Sequence, residues 1–247
     1  MPEGPSIVIL RELAESFAGK RVLDATGSTR TIDPGRMQGL AVRRVASWGK
    51  HFLLQFDGFA LRVHFMLYGS YAIDGGKPGR VPRLHLGFAR GRSLDFYACS
   101  LRYVEGDIYD SYDFSTDVMS AEWNPRGALK ALRAKPDALA CDALLEQDVF
   151  SGVGNIIKNE VLFRIRVHPE SRIGALPAAK LRELVRQAHE YSFDFYRWKK
   201  EYVLRKHYQV HTKTTCPRDG TRLAYAKHLG RKQRRAFWCP ACQKLYE

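Results

Sequence analysis

The hydrophobic pattern of this 247-residue chain changes period near residue 110, and this change constrains the fold more than any other feature. Residues 21–110 contain short β-rich runs, whereas apolar residues after about residue 125 recur at helical spacing. In the first part, residues 52–56 and 59–65 are separated by Asp57-Gly58, which strongly predicts a β-hairpin. We therefore expect an α+β protein that builds its sheet and its helices in separate regions.

Three domains follow from this pattern. Residues 1–115 are expected to form a β-sandwich with one leading helix over residues 6–18 and a second hairpin around Arg90-Gly91. A polar linker at 110–125 ends in Asn124-Pro125, an N-cap followed by proline at the first helical position. Residues 121–205 form a helical domain, and residues 206–247 form a short hairpin with cysteines. The predicted helices lie near 125–134, 138–146, 155–164 and 177–198.

The chain is strongly basic, with 40 lysines and arginines against 26 acidic residues and a formal net charge of +14. This excess predicts a polyanionic partner, and nucleic acid comes first because lysine and arginine neutralise its phosphates. An anionic membrane surface is the alternative, although no apolar run is long enough to span a bilayer. The sequence lacks the pattern of a secretion signal and any sign of oligomerisation, so we expect a cytoplasmic, nucleoid-associated monomer.

Cysteine placement indicates a metal site. Three of the five cysteines, Cys216, Cys239 and Cys242, lie close together near the C-terminus, while Cys99 and Cys141 are isolated. An odd count with this crowding favours a metal site and two spare thiols in a reducing compartment over a disulfide framework.

The sequence does not determine the identity of the fourth metal ligand. A four-cysteine ribbon would repeat C-x-x-C, but Asp219 stands at the second ligand position. Three thiolates and a carboxylate can hold zinc tetrahedrally, so we expect one structural zinc ion. Either His211 or His228 could replace Asp219 as a ligand. A metal-free hairpin would instead be held by packing of Leu223, Phe237, Trp238 and Leu245.

The chain begins Met1-Pro2-Glu3-Gly4-Pro5, and this start could supply a nucleophile. Initiator methionine is normally removed before a small residue, which would expose the secondary amine of Pro2. Such an amine can attack a sugar carbon and form an iminium, and it titrates near pH 8. Glu3 is a candidate proton shuttle beside it. The alternative is that the prolines only stiffen the entry to the first helix.

Two features of the strand region are compatible with DNA binding. Lys50 follows Trp48-Gly49 at the root of a strand, where it could contact phosphate or simply be a solvated charge. Residues 64–69 place large apolar side chains next to a glycine. They could fill the hole left by an extruded base, or they could end an ordinary buried strand.

Two basic features follow in the second half. Gly152-Val153-Gly154-Asn155 separates two helical stretches, and Asn155 is expected to cap a helix whose N-terminus suits a phosphate. Lys158 lies on that helix and is expected to contact DNA. The basic run at residues 231–235 is expected to lie at the hairpin tip and to contact phosphate.

In order and spacing, four motifs resemble the formamidopyrimidine-DNA glycosylase/endonuclease VIII family across nearly the whole chain. They are Met1-Pro2-Glu3-Gly4-Pro5, Gly49-Lys50, Gly152-Val153-Gly154-Asn155 and Cys239-Pro240-Ala241-Cys242-Gln243. The resemblance implies a β-sandwich, a helix–two-turn–helix domain and a zinc finger, with damaged double-stranded DNA as the partner.

The resemblance also implies roles for single residues. Pro2 matches the Schiff-base nucleophile and Glu3 the general acid/base. The family residues that contact phosphates are matched by Lys50, His64, Asn155 and Arg234. The void-filling triad, which occupies the space left by the extruded base, is matched by Met66, Leu67 and Tyr68. The sequence departs from the family at Ser6, which replaces a second glutamate, and at Asp219, which replaces a zinc cysteine. Around Leu101-Arg102-Tyr103, where the formamidopyrimidine branch keeps Arg and Phe to contact the opposite strand, the alignment is ambiguous by one residue.

These features predict a bifunctional DNA glycosylase/AP lyase that excises oxidised bases and cleaves the strand by β,δ-elimination. The triad and Phe237-Trp238-Cys239 favour the endonuclease VIII branch and thus oxidised pyrimidines. The alternatives are a glycosylase specific for 8-oxoguanine and ring-opened purines, or a non-catalytic protein that binds damaged DNA.

Overall fold

A computed structural model describes residues 2–247, so the expected removal of Met1 concerns a residue outside the described part. The chain divides into two compact units, Met1–Asp113 and Phe114–Glu247. None of the helices within residues 2–247 has the length and apolar character needed to cross a membrane.

The first unit is a six-stranded antiparallel sheet with a leading helix, as the change of period predicts, and with a short second helix near its end. Helix α1 is followed by strands β1 to β6, which lie in the order β1-β5-β6-β4-β3-β2. One core contains side chains from α1 and from every strand. The elements are α1 (Gly4–Ala14), β1 (Asp24–Thr26), β2 (Arg44–Trp48), β3 (His51–Phe56), β4 (Phe59–Ile73), β5 (Leu84–Gly87) and β6 (Ser93–Glu105).

Both predicted hairpins are confirmed, with Phe56 paired to Phe59 across Asp57-Gly58 and β5 paired to β6. Hydrogen bonds join all six strands of the expected β-sandwich into one continuous sheet. The reason is the length of β4 and β6, at 15 and 13 residues, since each runs through both halves of the sheet. An irregularity in their pairing interrupts the ladder between Phe65 and Ser70.

The predicted linker is ordered and partly buried. Helix α2 (Ile108–Ser111) begins just before it, and Asp117 and Val118 are buried within it. Gln55 in β3 fixes the position of the start of α2, because its Oε1 accepts a hydrogen bond from the backbone N–H of Ile108 at 3.0 Å.

The second unit is helical and then forms a hairpin. Its helices are α3 (Pro125–Arg133), α4 (Ala140–Ala143), α5 (Asn155–Arg164) and α6 (Ala178–Lys200), close to the four predicted spans. Asn124 caps α3 as predicted, since its side chain accepts from the N–H of Gly127 at 2.9 Å. Strands β7 (Ala224–Leu229) and β8 (Arg234–Trp238) form the C-terminal hairpin. A small core joins Phe163 of α5 to Cys216, Leu223 and Cys239.

Candidate catalytic and metal-binding sites

The start of the chain places a buried carboxylate next to Pro2. Helix α1 begins at Gly4, with Pro5 in its first turn, where a missing N–H does not interrupt helical bonding. Glu3 is the N-cap residue with an extended backbone, and only 4% of its surface is exposed. Its backbone carbonyl accepts from Ser6 N–H at 2.8 Å, while Pro2 is half-buried. The helix therefore fixes the position of Glu3 relative to Pro2.

Lys50 lies in the two-residue turn between β2 and β3. Trp48 pairs with His51, so Gly49 and Lys50 form the turn, and Gly49 has the positive φ of +53° that the first position of a type II′ turn requires. The structure therefore confirms that Lys50 directly precedes β3.

Two histidines lie beside this turn. His64 pairs with His51 across β3 and β4, and their ring centres are 5.2 Å apart. Burial lowers the pKa of His51 to about 3, and the positive charges of Arg62, His64 and Lys50 contribute to this shift. Burial, together with Lys50 and Arg62, also lowers the pKa of His64. Both rings are thus neutral near pH 7.

The three residues assigned to void filling project from a four-residue irregularity in β4. Phe65 pairs with Cys99 and Ser70 with Tyr97, so residues 66–69 lie opposite Ala98 alone. The exposed fractions of Met66, Leu67 and Tyr68 are 52%, 53% and 82%.

Gly69 is the last residue of this irregularity. A Cβ at position 69 would lie 2.8 Å from the carbonyl oxygen of Ala98 and 2.7 Å from the Cβ of Phe65, so only glycine fits without a shift. These contacts explain why a glycine follows the apolar run. The exposure of Met66, Leu67 and Tyr68 rules out the alternative of an ordinary buried strand end.

The N-terminus of α5 differs from the prediction in two respects. Gly154, rather than Asn155, occupies the N-cap, and Asn155 is the first helical residue. Lys158 is 1% exposed, and its Nζ donates to Asn155 Oδ1 and to the backbone carbonyl of Arg235, each at 2.8 Å. The prediction of a direct phosphate contact by Lys158 is therefore corrected, because its ammonium group is buried between α5 and β8.

Sequence reasoning missed the next polar residues of α5. Glu160 is fully buried and accepts from the backbone N–H groups of Gln209, Val210 and His211 at 2.8–3.0 Å. Burial raises the pKa of Glu160, and these three hydrogen bonds oppose the shift. Asn159 Nδ2 lies 3.0 Å from His211 Nδ1. The only available signal was the unusual run of three polar residues, 158–160, between the apolar pairs Ile156-Ile157 and Val161-Leu162.

Another buried carboxylate fixes the position of the hairpin tip. Asp142 in α4 accepts from the N–H groups of Arg231 and Lys232 at 2.7 and 3.0 Å. Gly230 has a φ of +67°, and a Cβ there would lie 2.6 Å from the carboxylate oxygens. Arg234 therefore begins β8 from an anchored turn and is exposed.

The four predicted metal ligands are brought together. One donor atom from each of Cys216, Asp219, Cys239 and Cys242 lies within 4.8 Å of the others. The sulfurs of Cys216 and Cys242 are 3.9 Å apart, and Asp219 oxygens lie 3.4 and 3.7 Å from Cys239 Sγ. A tetrahedral zinc ion with Zn–S bonds of about 2.3 Å requires sulfurs roughly 3.8 Å apart, so the donors fit zinc.

The two histidines considered as alternative ligands lie outside this cluster. His211 makes its hydrogen bond to Asn159, and neither it nor His228 belongs to the metal-ligand cluster found among residues 2–247. Of the residues named for metal-free packing, Leu223 and Phe237 pack in the small core, whereas Leu245 is 41% exposed. Hydrogen bonds from Thr221 N–H and from Cys216 lower the pKa of Asp219 to about 2, so it carries the charge of a metal ligand at neutral pH.

The predicted residues fall into two sets. The first unit holds Pro2, Glu3, Lys50, His64 and the exposed residues of β4, while the second holds Asn155, Arg234 and the metal cluster. Within the first unit, His64 and Lys50 are close enough to affect each other electrostatically.

Comparison with known proteins defines the class. The model of the formamidopyrimidine-DNA glycosylase N-terminal domain matches residues 1–99, and that of the formamidopyrimidine-DNA glycosylase H2TH domain matches residues 115–191. Both models describe parts of one class of protein, the DNA glycosylases with a helix–two-turn–helix domain.

Individual proteins agree with this result. Endonuclease 8-like 2 of Mus musculus is 28% identical over 98% of this chain and 96% of its own length. A viral DNA glycosylase has a TM-score of 0.87 and 19% identity over 98% of this chain and 100% of its own. The Lactococcus lactis formamidopyrimidine-DNA glycosylase bound to AP-site DNA has a TM-score of 0.84 and 20% identity over 98% and 99% of the two chains. These two structures support the fold.

The chain therefore belongs to the formamidopyrimidine-DNA glycosylase/endonuclease VIII family, on its endonuclease VIII-like branch, as the sequence motifs predicted.

Proposed function

We propose that the protein is a bifunctional DNA glycosylase and AP lyase that excises oxidised bases, pyrimidines above all, from duplex DNA. The observation that carries this proposal is the placement of Pro2 beside the buried Glu3 at the start of α1. A protein that only binds damaged DNA needs neither a proline amine nor an adjacent carboxylate. The family membership and the net charge of +14 support DNA as the partner.

The chemistry begins once Met1 is removed. The Pro2 nitrogen attacks C1′ of the damaged nucleotide, and the C1′–base bond breaks as the base takes a proton, for which Glu3 is the proposed donor. The sugar ring then opens as the C1′–O4′ bond breaks and O4′ takes the proton released from the Pro2 nitrogen, which leaves an iminium between Pro2 and C1′. This iminium makes the C2′ hydrogen acidic. Its removal expels the 3′ phosphate, a second elimination expels the 5′ phosphate, and hydrolysis of the iminium releases the amine.

The remaining residues position the DNA. Lys50, His64, Asn155 and Arg234 are proposed to hold phosphates around the lesion, so that orientation and electrostatics provide much of the rate. Met66, Leu67 and Tyr68 are proposed to fill the space vacated by the base. Because a few kcal/mol are needed to unstack a base, exposed apolar side chains that replace its contacts favour extrusion.

Zinc is the proposed occupant of the cysteine cluster. Cys216, Asp219, Cys239 and Cys242 would hold it, and the ion would stabilise a hairpin whose own core is small. Its role is structural, since it keeps β8 and Arg234 in place.

Borohydride trapping tests the proposal. Protein with a native N-terminus is incubated with a duplex that contains one abasic site, beside a Pro2→Gly control and a protein with an uncleaved N-terminal tag. Borohydride reduces an iminium to a stable amine, so we expect a covalent band that both controls lack while still binding the duplex. No band from a wild-type protein that binds the duplex would instead support the non-catalytic damaged-DNA binder.

Lesion choice is tested separately with duplexes that carry oxidised pyrimidines, 8-oxoguanine or ring-opened purines. We expect the largest excision rate for oxidised pyrimidines, since the triad position belongs to the endonuclease VIII-like branch. A preference for the purine lesions would favour the alternative specificity.

A further inference from the structure

Two arginines oppose each other on neighbouring strands of the first unit. Arg62 in β4 is the direct partner of Arg102 in β6. Side chains of directly opposed antiparallel residues lie on one face, with Cβ atoms about 5 Å apart, and like charges there are destabilising. The pair therefore reduces the stability of the free protein unless an anion lies between the guanidinium groups.

Within the described part of the chain, no carboxylate compensates this pair. Among residues 2–247 neither Arg62 nor Arg102 takes part in an ion pair, although other arginines of the first unit, such as Arg36 and Arg43, pair bidentately with acidic residues. The hydrogen-bond partner of Arg62 is the neutral hydroxyl of Tyr112. The positive charges therefore stay uncompensated.

Polar atoms around the pair lack partners. Nε of Arg62 and Nδ1 of both His51 and His64 are buried without a hydrogen-bond partner among residues 2–247. His64 lies two residues from Arg62 in β4, so both project from the same face of the strand, and His51 pairs with His64. Buried polar atoms are normally satisfied, so three unpartnered ones in one patch indicate a polar ligand.

We infer that Arg62 and Arg102 form a phosphate-binding site, whose ligand is a backbone phosphate of the DNA duplex. This inference rests on the proposed function for the source of the phosphate. Guanidinium groups bind phosphate oxygens bidentately, and two of them can share one phosphate. The site is continuous with Lys50 and His64 and extends the proposed DNA-binding surface along β4 and β6.

Thermal unfolding of the full chain tests the anion site without DNA. Wild type, Arg102→Glu and Lys20→Glu are compared in inorganic phosphate and in sodium chloride of equal ionic strength. Lys20 is exposed and supplies the same change of charge away from the pair.

We expect wild type and Lys20→Glu to have a higher Tm in phosphate than in chloride. Arg102→Glu should lose this phosphate-dependent rise and have a Tm in chloride above that of wild type, because the introduced carboxylate would attract Arg62. The inference is overturned if the Tm of wild type is no higher in phosphate than in chloride. It is also overturned if Arg102→Glu keeps the full phosphate-dependent rise in Tm.

A DNA experiment identifies the source of the phosphate. The salt dependence of binding to an undamaged duplex is measured for wild type and Arg102→Gln. Loss of one phosphate contact should lower the slope of log Kobs against log salt by about 0.9. An unchanged slope, with normal borohydride trapping by wild type, would refute the inference alone. A lowered slope without trapping would refute the proposed chemistry and leave this phosphate site in place.

Discussion

The Nζ of Lys158 donates a hydrogen bond to Oδ1 of Asn155 over 2.8 Å. Lysine has three donors and no acceptor, so this contact determines the orientation of the amide. Oδ1 of Asn155 must face Lys158, and Nδ2 is the end that remains for a ligand. The structure thus presents a donor at the start of α5, as a phosphate oxygen requires.

Lys158→Met should weaken binding to a duplex with an abasic site about tenfold, as expected for loss of a hydrogen bond to a charged group. Asn155→Ala should have a similar effect. In the double variant the losses should not add, because Lys158 acts through the Asn155 amide. Equilibrium binding of the four proteins measures the coupling. Fully additive losses would show that Lys158 acts independently of Asn155.

Variants at the exposed residues of β4 test the proposed base extrusion separately from strand cleavage. Leu67→Ala combined with Tyr68→Ala should slow excision of a base-paired lesion by about 100-fold, since extrusion requires a few kcal/mol. Cleavage at a preformed abasic site should change far less, because no base has to leave the stack. Single-turnover rates on both substrates measure the difference. Val81→Ala is the control, since Val81 is an exposed apolar residue of the same unit at 77%. Equal losses on the two substrates would contradict the void-filling role.

His51 makes stability depend on pH. Its pKa is about 3 in the folded protein and about 6.5 when unfolded, so the unfolded chain binds more protons between these values. The free energy of unfolding should therefore fall as the pH drops below 6.5. His51 should account for up to about 2 kcal/mol of this loss at pH 5. The phenyl ring of His51→Phe can keep the contacts with Trp48 and Tyr112. Urea unfolding measures the free energy of unfolding at pH 7 and at pH 5, and the difference between these two values should be smaller for His51→Phe than for wild type. An equal difference in both proteins would assign the pH dependence to other groups.

Local sequence signals predicted most of the fold. Asp57-Gly58 predicted one hairpin, and Asn124-Pro125 predicted the start of α3. Both predictions were possible because turn and cap preferences act within a few residues. The grouping of Cys216, Cys239 and Cys242 was predictable from spacing, since a short hairpin brings its two ends together, whereas the sequence left the fourth ligand open between Asp219 and two histidines.

What could not be predicted depends on pairing between distant segments. The projection of residues 66–69 arises from the register of β4 against β6, and the opposition of Arg62 and Arg102 has the same origin. Lys158 was expected to contact DNA because it lies on the helix that follows Asn155 in a basic chain, whereas contacts with the distant strand β8 bury it.

The metal cluster gives the last prediction. Asp219→Ala should lower zinc affinity at least about tenfold and reduce the Tm, because binding of a structural metal contributes directly to folding. Asp219→Cys should restore both, since a fourth thiolate completes a common zinc site. Competition with a chromophoric chelator measures the affinity, and the absorption of the cobalt-substituted protein reports the number of thiolate ligands. Cys141→Ala, outside the cluster, should leave the zinc affinity and the cobalt spectrum unchanged. If Asp219→Ala binds zinc as tightly as wild type, Asp219 is not a ligand, and the fourth position is filled by another group.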